Sequence, residues 1–305
     1  MFDESHRGGK YKIKTLFEEC LNMKKITRRS FLAAAGLSVA ALALTACGGS
    51  SSTASSAAAS SVASSAAASS EAASAAAAEL TTVEAGKLTM ATNATFPPYE
   101  MTTDNGTIEG IDVETAQAIA DKLGLELQVD DMDFDAALLS VQQGKADIAM
   151  AGITVTDERK AVMDFSDSYA TGIQSIIVPE GSDIASADDL AGKKIGTQRG
   201  TTGYLYCSDD FGEDAVVAYD NGLTAVQALN NGQVDAVVID NEPAKAYVES
   251  NPGLKILDTS YAEEDYAIGM NKDNTALLDA VNAALEELKA DGTLQSIVDK
   301  YITAE

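Results

Sequence analysis

Strand-like segments alternate with helical stretches of about ten residues from residue 81 onwards, and this alternation most limits the fold. In a first series, strands are predicted at 88–91, 125–129 and 147–151, with helices at 113–123 and 134–143. In a second series, strands are predicted at 173–178, 194–197, 215–218 and 236–239, with helices at 223–230 and 242–249. Such βαβ units predict an α/β fold with largely parallel sheets. The chain ends in two amphipathic helical stretches, the first with core positions at Leu277, Val281, Ala284, Leu285 and Leu288.

One unit of this pattern occurs twice. Residues 137–147 (ALLSVQQGKAD) resemble residues 225–235 (AVQALNNGQVD): in each, a helix ends at a glycine and a strand begins at an aspartate. The two strands end near Gly152 and Asp240, and open α/β sheets bind ligands at the carboxyl ends of their strands. If two lobes face each other, Gly152 and Asp240 lie across one cleft. Helix–glycine–strand is also a common junction, so the repeat alone does not decide the matter.

Charge and composition exclude several classes of function. Asp and Glu total 47 against 21 Lys and Arg, and a net charge of -26 argues against a nucleic-acid partner. The only histidine is His6, so no histidine triad, histidine–metal site or histidine proton shuttle is expected downstream. Cys20, Cys47 and Cys207 lack metal-site spacing, and Cys207 is interpreted as a half-buried free thiol. No cofactor and no metal are predicted.

Residues 23–47 have the anatomy of an export signal: a basic head, a short apolar stretch and an ending in small residues. The ending Leu44-Thr45-Ala46-Cys47 resembles the lipobox of bacterial lipoproteins, in which the cysteine is lipidated. An uncleaved anchor helix followed by a chance cysteine is the alternative. Residues 27–32 (TRRSFL) resemble a twin-arginine motif, although an ordinary basic head explains them equally well. Residues 1–22 are interpreted as an upstream mis-start.

Residues 48–80 are predicted to form a disordered tether. Of the 32 residues from 48 to 79, 14 are Ala and 12 are Ser, so the segment has little apolar surface to bury. As a flexible coil it spans on the order of 30 Å r.m.s.. The sequence therefore predicts a folded body connected by a flexible linker to a lipid at the outer face of a membrane.

Several ordered segments resemble the polar amino-acid-binding proteins of ABC importers. The signature lies in residues 151–159 (AGITVTDER) and 163–169 (MDFSDSY), with matches at 91–100 (ATNATFPPYE), 110–113 (GIDV), 199–203 (RGTTG) and 234–240 (VDAVVID). This resemblance, over about residues 85–305, implies the periplasmic binding protein type II fold. That fold has two Rossmann-like α/β lobes joined by two crossover strands, with a ligand cleft between them. Lobe 1 is expected to contain residues 81–171 and 266–305, lobe 2 residues 172–265, with crossings near 169–173 and 261–266.

A free amino acid presents a carboxylate and an ammonium group, and its site must satisfy both. Arg159 is predicted to bind the carboxylate with its planar pair of donors, and Asp240 to supply the counter-charge for the ammonium. The Gly152 carbonyl and the Thr154 hydroxyl are predicted to assist Asp240. Alternatively, Arg159 forms a surface ion pair with an acid of its own helix, and Asp240 merely caps the helix that follows.

The remaining candidate site residues complete the two walls of the cleft. Thr201 and Thr202, after a glycine, offer donors from lobe 2, and the resemblance places Phe96 and Phe134 over the ligand's side chain. Ordinary core packing is the alternative for both phenylalanines. Asn93 and Gln198 occupy positions that sort ligands in relatives, and because both are neutral here they favour an uncharged side chain.

The predicted function is a non-enzymatic one: an extracytoplasmic, lipid-anchored, monomeric solute-binding component of an ABC importer. It captures an amino acid by lobe closure and delivers it to a membrane permease. One alternative is a dehydratase of the same fold acting on prephenate-like acids, with Glu100 or Asp240 as its acid. The other is a ligand-sensing subunit of a receptor.

Overall fold

The structure, a computed structural model, describes residues 80–302. The predictions for residues 1–22, the signal 23–47 with Cys47, and the tether as far as residue 79 lie outside the described residues. None of the helices in the described part combines the length and apolar character needed to cross a bilayer.

The described chain alternates strands and helices, as predicted. The strands are β1 Lys87–Thr92, β2 Thr95–Phe96, β3 Glu100–Thr102, β4 Ile108–Glu109, β5 Glu126–Asp131, β6 Ile148–Ala149, β7 Asp164–Phe165, β8 Ala170–Pro179, β9 Ile195–Gln198, β10 Val216–Tyr219, β11 Ala236–Asp240, β12 Leu254–Ile256, β13 Ala262–Tyr266 and β14 Gly269–Met270. The α-helices are α1 Ile111–Leu123, α2 Phe134–Gln142, α3 Asp157–Val162, α4 Thr202–Phe211, α5 Gly222–Asn230, α6 Asn241–Ser250, α7 Thr275–Ala290 and α8 Thr293–Tyr301.

The first lobe is built on a five-stranded sheet with the order β5-β1-β6-β14-β7. β1 pairs in parallel with β5 and β6, whereas β14 pairs antiparallel with β6 and β7. The expectation of parallel pairing therefore holds for the βα units and is wrong for β14, which the end of the chain adds to the sheet. The core positions predicted in α7 are confirmed: all five are at most 4% exposed.

The second lobe is built on a sheet with the order β10-β9-β11-β8-β12, and β13 also pairs with β8. β9 is parallel to β10 and β11, and β8 is antiparallel to β11, β12 and β13. Along the chain, β8 of the second sheet follows β7 of the first sheet, and β13 of the second sheet precedes β14 of the first sheet. The chain therefore crosses between the sheets twice, on two strands that pair with each other.

The repeated unit has the same geometry in both lobes. The glycines after α2 and α5 have φ angles of 65° and 67°, which ends both helices in the left-handed region. Asp147 Oδ2 accepts a hydrogen bond from Thr89 N (2.8 Å), and Asp235 Oδ2 accepts one from Lys194 N (2.7 Å). In each lobe the aspartate thus connects the start of one strand to the start of its neighbour, which aligns the carboxyl ends of these strands.

Several elements of the fold were not predicted, including the short strands β7, β12 and β14. Two larger parts were also missed. One is the three-stranded antiparallel sheet β2-β3-β4 beside the first lobe. The other is α4, which carries Cys207. This thiol is free but fully buried rather than half-buried, because it packs in the second lobe's core with Ile176 and Val238. Burial raises its pKa to about 12.

Candidate functional site

A pocket between the lobes contains most of the predicted ligand-binding residues. Eight of the ten line it. From the first lobe these are Asn93, Phe96, Phe134 and Gly152. From the second they are Gln198, Thr201, Thr202 and Asp240. Thr154 and Arg159, the other two, lie beside the pocket and are connected to its walls by hydrogen bonds.

Arg159 is positioned by the short helix α3, whose N-cap is Thr156: Thr156 Oγ1 accepts from Arg159 N (3.2 Å). The guanidinium is 5.4 Å from the centre of the Phe134 ring. Its Nη1 donates to the Thr154 carbonyl (2.7 Å) and its Nη2 to the Gly200 carbonyl (3.1 Å). Among residues 80–302 it forms no ion pair, so the alternative of a surface pair within its own helix is wrong. Arg159 is therefore buried beside the pocket, and its guanidinium has further N–H groups that can donate to a ligand.

Asp240 ends β11 in the opposite wall. The residue is at the N-cap position of α6, yet its side chain makes no capping bond, so the simple capping interpretation is wrong. Its Oδ2 instead accepts from Gln174 Nε2 (2.6 Å), and its Oδ1 has no donor within the described residues. Burial raises the pKa of Asp240 to about 7. A cationic group brought to Oδ1 would favour the ionised form.

Two buried polar residues near Asp240, Gln174 and Glu264, were not predicted from the sequence. They lie on the crossover strands β8 and β13 and are 2% and 6% exposed. Glu264 Oε2 accepts from Gln174 Nε2 (2.9 Å) and from Thr202 Oγ1 (3.0 Å). The available signal was a glutamine inside a mostly apolar strand, since a buried polar side chain needs hydrogen-bond partners.

The first lobe contributes a second pair of acids. Glu100 lines the pocket with no exposed surface, and neither carboxyl oxygen has a donor within the described part of the chain. Asp112, equally buried, accepts from Gly152 N through Oδ2 (3.0 Å). Burial and the neighbouring Asp112 hold the pKa of Glu100 well above its usual range, and burial raises the pKa of Asp112 to about 6. Glu100 was not among the predicted ligand-binding residues, although the dehydratase alternative named it as an acid.

Gly152 separates this acid pair from the aromatic wall of the pocket. Its φ of 54° favours glycine, and a Cβ there would lie 2.7 Å from Phe96 Cε1. Phe96 and Phe134 are 8% and 6% exposed, so both phenylalanines are buried and also line the pocket. The absence of a side chain at residue 152 lets the ring of Phe96 pack against the backbone there.

The two lobes contact each other directly around the pocket. Gln198 Nε2 donates to Asn93 Oδ1 (3.0 Å), while Asn93 Nδ2 donates to the Met132 carbonyl (2.8 Å). Tyr247 Oη donates to the Thr95 carbonyl (2.5 Å). The two amides that were expected to sort ligands therefore hydrogen-bond to each other, and the lobes are closed over the site.

Comparison with known proteins identifies the family of this two-lobed chain. The family model for bacterial extracellular solute-binding proteins, family 3, matches residues 88–304. The chain belongs to this family. It is a solute-binding protein of the periplasmic binding protein type II fold and not an enzyme. The dehydratase interpretation is accordingly not favoured, since the relatives are binding proteins of ABC importers.

Two curated relatives and two solved structures describe the resemblance. The L-cystine-binding protein TcyJ of Escherichia coli K12 is 34% identical over 73% of this chain and 85% of that protein. The ABC transporter arginine-binding protein 1 of the same strain is 32% identical over 71% and 91%. An ancestral arginine-binding protein bound to arginine is 44% identical, with a TM-score of 0.68 over 71% of this chain and 98% of that one. The P235GK mutant of ArgBP from T. maritima is 39% identical, with a TM-score of 0.69 over 72% and 96%.

Proposed function

We propose that this chain captures a free polar amino acid outside the cytoplasm and delivers it to the membrane permease of an ABC importer. The proposal includes the ten residues assigned to the site and the lobe boundaries at residues 171–172 and 265–266. It rests on family membership and on relatives named for binding L-cystine and arginine. We further propose that the protein acts as a monomer.

One observation carries the proposal: Asp240 lines the pocket from the second lobe, and the buried Arg159 of the first lobe lies beside it, 5.4 Å from the ring centre of the lining residue Phe134. Arg159 comes from the first lobe and Asp240 from the second, and within the described residues neither forms an ion pair. A buried charge without a partner is costly, and a zwitterion supplies both missing partners at once. The α-carboxylate is assigned to Arg159 and the α-ammonium to Asp240.

The lobes bind the ligand unequally, and this difference drives closure. The first lobe contributes Arg159 and Thr154 and binds the amino acid first. Asp240 and the donors of Thr201 and Thr202 reach the ligand only when the lobes shut. The ligand therefore binds the closed form more tightly than the open form, which shifts the population towards closure. The permease recognises the closed form.

The side chain of the ligand is assigned to the part of the pocket between Phe96 and Phe134. L-cystine, arginine, histidine and glutamine appear in the relatives' names, which supports a polar side chain. The prediction of an uncharged side chain, drawn from the neutral residues Asn93 and Gln198, remains a prediction. Comparing L-glutamine with L-arginine tests it directly.

The anchor is a separate part of the proposal. Lipidation of Cys47, followed by the Ala- and Ser-rich tether, would hold the binding lobes within on the order of 30 Å of the membrane surface. Replacing Cys47 by alanine is expected to release the protein from the membrane fraction while leaving ligand affinity unchanged. Wild-type protein found only in the medium would contradict the anchor and leave the binding proposal intact.

A thermal-shift screen of the twenty amino acids and L-cystine tests the function. At least one is expected to raise the melting temperature, because a ligand that binds only the folded state stabilises it. Calorimetry on that amino acid should find binding weakened by Arg159→Ala, at least ~30-fold, since the substitution leaves a buried carboxylate without its partner. Arg199→Ala is the matched control, because Arg199 is exposed near Asp220. The proposal fails if no amino acid stabilises the wild type.

A further inference from the structure

We propose that Glu264 is a positioning residue of the ligand site, which orients Thr202 and Gln174 so that hydrogen-bond acceptors of the second lobe remain available to the ligand. This inference rests on the proposed function, in which an amino-acid ammonium binds at Asp240. Glu264 lies on the crossover strand β13, opposite Gly172 of β8. It does not line the pocket itself.

The position of Glu264 is unusual for an acid. Its side chain is buried, and in the part of the chain that the structure describes no cation pairs with it. Two groups donate to its Oε2, Thr202 Oγ1 at 3.0 Å and Gln174 Nε2 at 2.9 Å, and both belong to residues that line the pocket. The hydroxyl of Tyr206 and the guanidinium of Arg159 also face this carboxyl group. Burying an unpaired carboxyl group costs stability, so its contacts indicate a role in holding these two side chains.

The hydrogen-bond inventory gives Glu264 a directional effect. An ionised carboxylate only accepts, so Thr202 uses its single hydroxyl proton towards Glu264. The amide of Gln174 uses both of its protons, one towards Glu264 and one towards Asp240 Oδ2 at 2.6 Å. A flipped amide would aim its oxygen at two carboxylates. The two acids together therefore determine the orientation of the amide.

As a result, the pocket wall formed by the second lobe contains hydrogen-bond acceptors without a donor. Gln174 Oε1 and Asp240 Oδ1 have no donor within the described residues. With its proton directed at Glu264, Thr202 Oγ1 accepts from Thr154 Oγ1 (3.4 Å) and keeps one further lone pair. Unpartnered acceptors beside a pocket fit a group that carries several N–H donors and a positive charge, which is the ammonium of an amino acid.

The charge of Glu264 also acts on Asp240. Burial is the main reason that the pKa of Asp240 rises to about 7, and the charge of Glu264 raises it further. Tyr266 of β13 faces the same carboxyl group, and Tyr99 and Glu100 face it from the first lobe. Removing the charge of Glu264 alone is therefore expected to lower the pKa of Asp240 while these other neighbours stay in place.

The test measures affinity against pH for wild type, Glu264→Gln and a matched control. Titration calorimetry from pH 5 to 8.5 uses the amino acid with the largest thermal shift in the screen of twenty amino acids and L-cystine. For Glu264→Gln we expect affinity at pH 8 to fall about 3–10-fold, and the loss of affinity on acidification to begin at a lower pH. Glu263→Gln makes the same change at the next residue, which is exposed, and should match the wild type.

A double-mutant cycle with Thr202→Val separates positioning from general loss of structure. If Glu264 acts through the Thr202 hydroxyl, Glu264→Gln should cost less in the Thr202→Val background than in the wild type. An equal cost in both backgrounds, or an unchanged affinity and pH profile for Glu264→Gln, overturns the inference alone. A wild type that binds none of the probes overturns the proposed function, and the inference falls with it.

Discussion

Each lobe brings two buried acids to the pocket, but the two pairs differ in their hydrogen-bond partners. In the second lobe Asp240 lines the pocket with Glu264 behind it, and the amide of Gln174 donates to both. In the first lobe Glu100 lines the pocket with Asp112 nearby, and no donor reaches Glu100 within the described residues. Donors stabilise the ionised form of a carboxyl group, whereas burial without donors stabilises the protonated form.

Because of this difference, the two acids that line the pocket, Glu100 and Asp240, ionise differently. The pKa of Glu100 lies well above its usual range because the group is buried near Asp112, which favours its protonated form. The pKa of Asp240 is about 7, close enough for a ligand ammonium to ionise it. Of the two acids that line the pocket, Asp240 therefore supplies a counter-charge, whereas Glu100 supplies a polar surface whose protonated form is favoured.

The largest expected effect contrasts the two acids that line the pocket. Asp240→Asn should weaken binding of L-arginine and L-glutamine, whichever of them the wild type binds, by at least ~2 kcal/mol, because the ammonium loses its counter-charge. Glu100→Gln should leave the affinity for L-glutamine within about threefold, because an amide of the same shape replaces a carboxyl group whose protonated form is favoured by burial. Calorimetry at pH 7.5 measures both. Equal losses for the two variants would remove the distinction between the lobes.

The second prediction concerns the acid behind Glu100. The pKa of Asp112 is about 6, above its unfolded value, so the folded state binds its proton more tightly. The contribution of this group to stability is therefore greatest below pH 4 and is lost as pH rises through 6, by about 3 kcal/mol. Asp112→Asn should remove this loss, so the variant gains stability relative to the wild type between pH 4 and 7.

Urea denaturation of the ligand-free protein at pH 4, 5.5 and 7 measures this difference. Asp121→Asn is the matched control, because Asp121 is exposed on the same helix α1. A stability difference between Asp112→Asn and the wild type that stays constant with pH would contradict the assignment.

The third prediction is the pH dependence of binding itself. Below about pH 7 Asp240 is increasingly protonated in the closed form without ligand, while the ammonium of the ligand stays charged. Binding then has to release a proton, so Kd should rise as pH falls, by at most tenfold per unit. Calorimetry in buffers of different ionisation enthalpy should detect the released proton at pH 6. Asp240→Asn should bind with a flat profile over the same range.

The smallest expected effect is on affinity, for a substitution at Tyr247, which belongs to neither pair of acids. Tyr247→Phe removes a hydrogen bond between the lobes and leaves the ring in place. Affinity should fall by about 1 kcal/mol or less, because the closed form loses one bond. The pH profile should keep its shape, since no titrating group of the site changes. A shifted profile would connect this contact to the acids and contradict their separation.

Local sequence patterns predicted much of the fold and part of the site. The repeated helix–glycine–strand unit directed attention to Gly152 and Asp240, and both line the pocket. The N-cap at Thr156 was equally readable, because a cap depends on residues within one turn. In contrast, Gln174 and Glu264 are 90 residues apart, and their contact depends on the pairing of β8 with β13. A single buried glutamine in an apolar strand does not identify its partner.

The order of apolar and polar residues, by itself, determined an α/β chain of two similar units, because secondary structure follows from spacing along the backbone. Residue chemistry and motif likewise indicated an arginine and an aspartate for a zwitterion. Only the tertiary structure decided which acids have donors and which do not, because burial and hydrogen bonding arise between segments distant in sequence. The ionisation states of Glu100, Asp112 and Asp240 therefore belong to the closed pair of lobes.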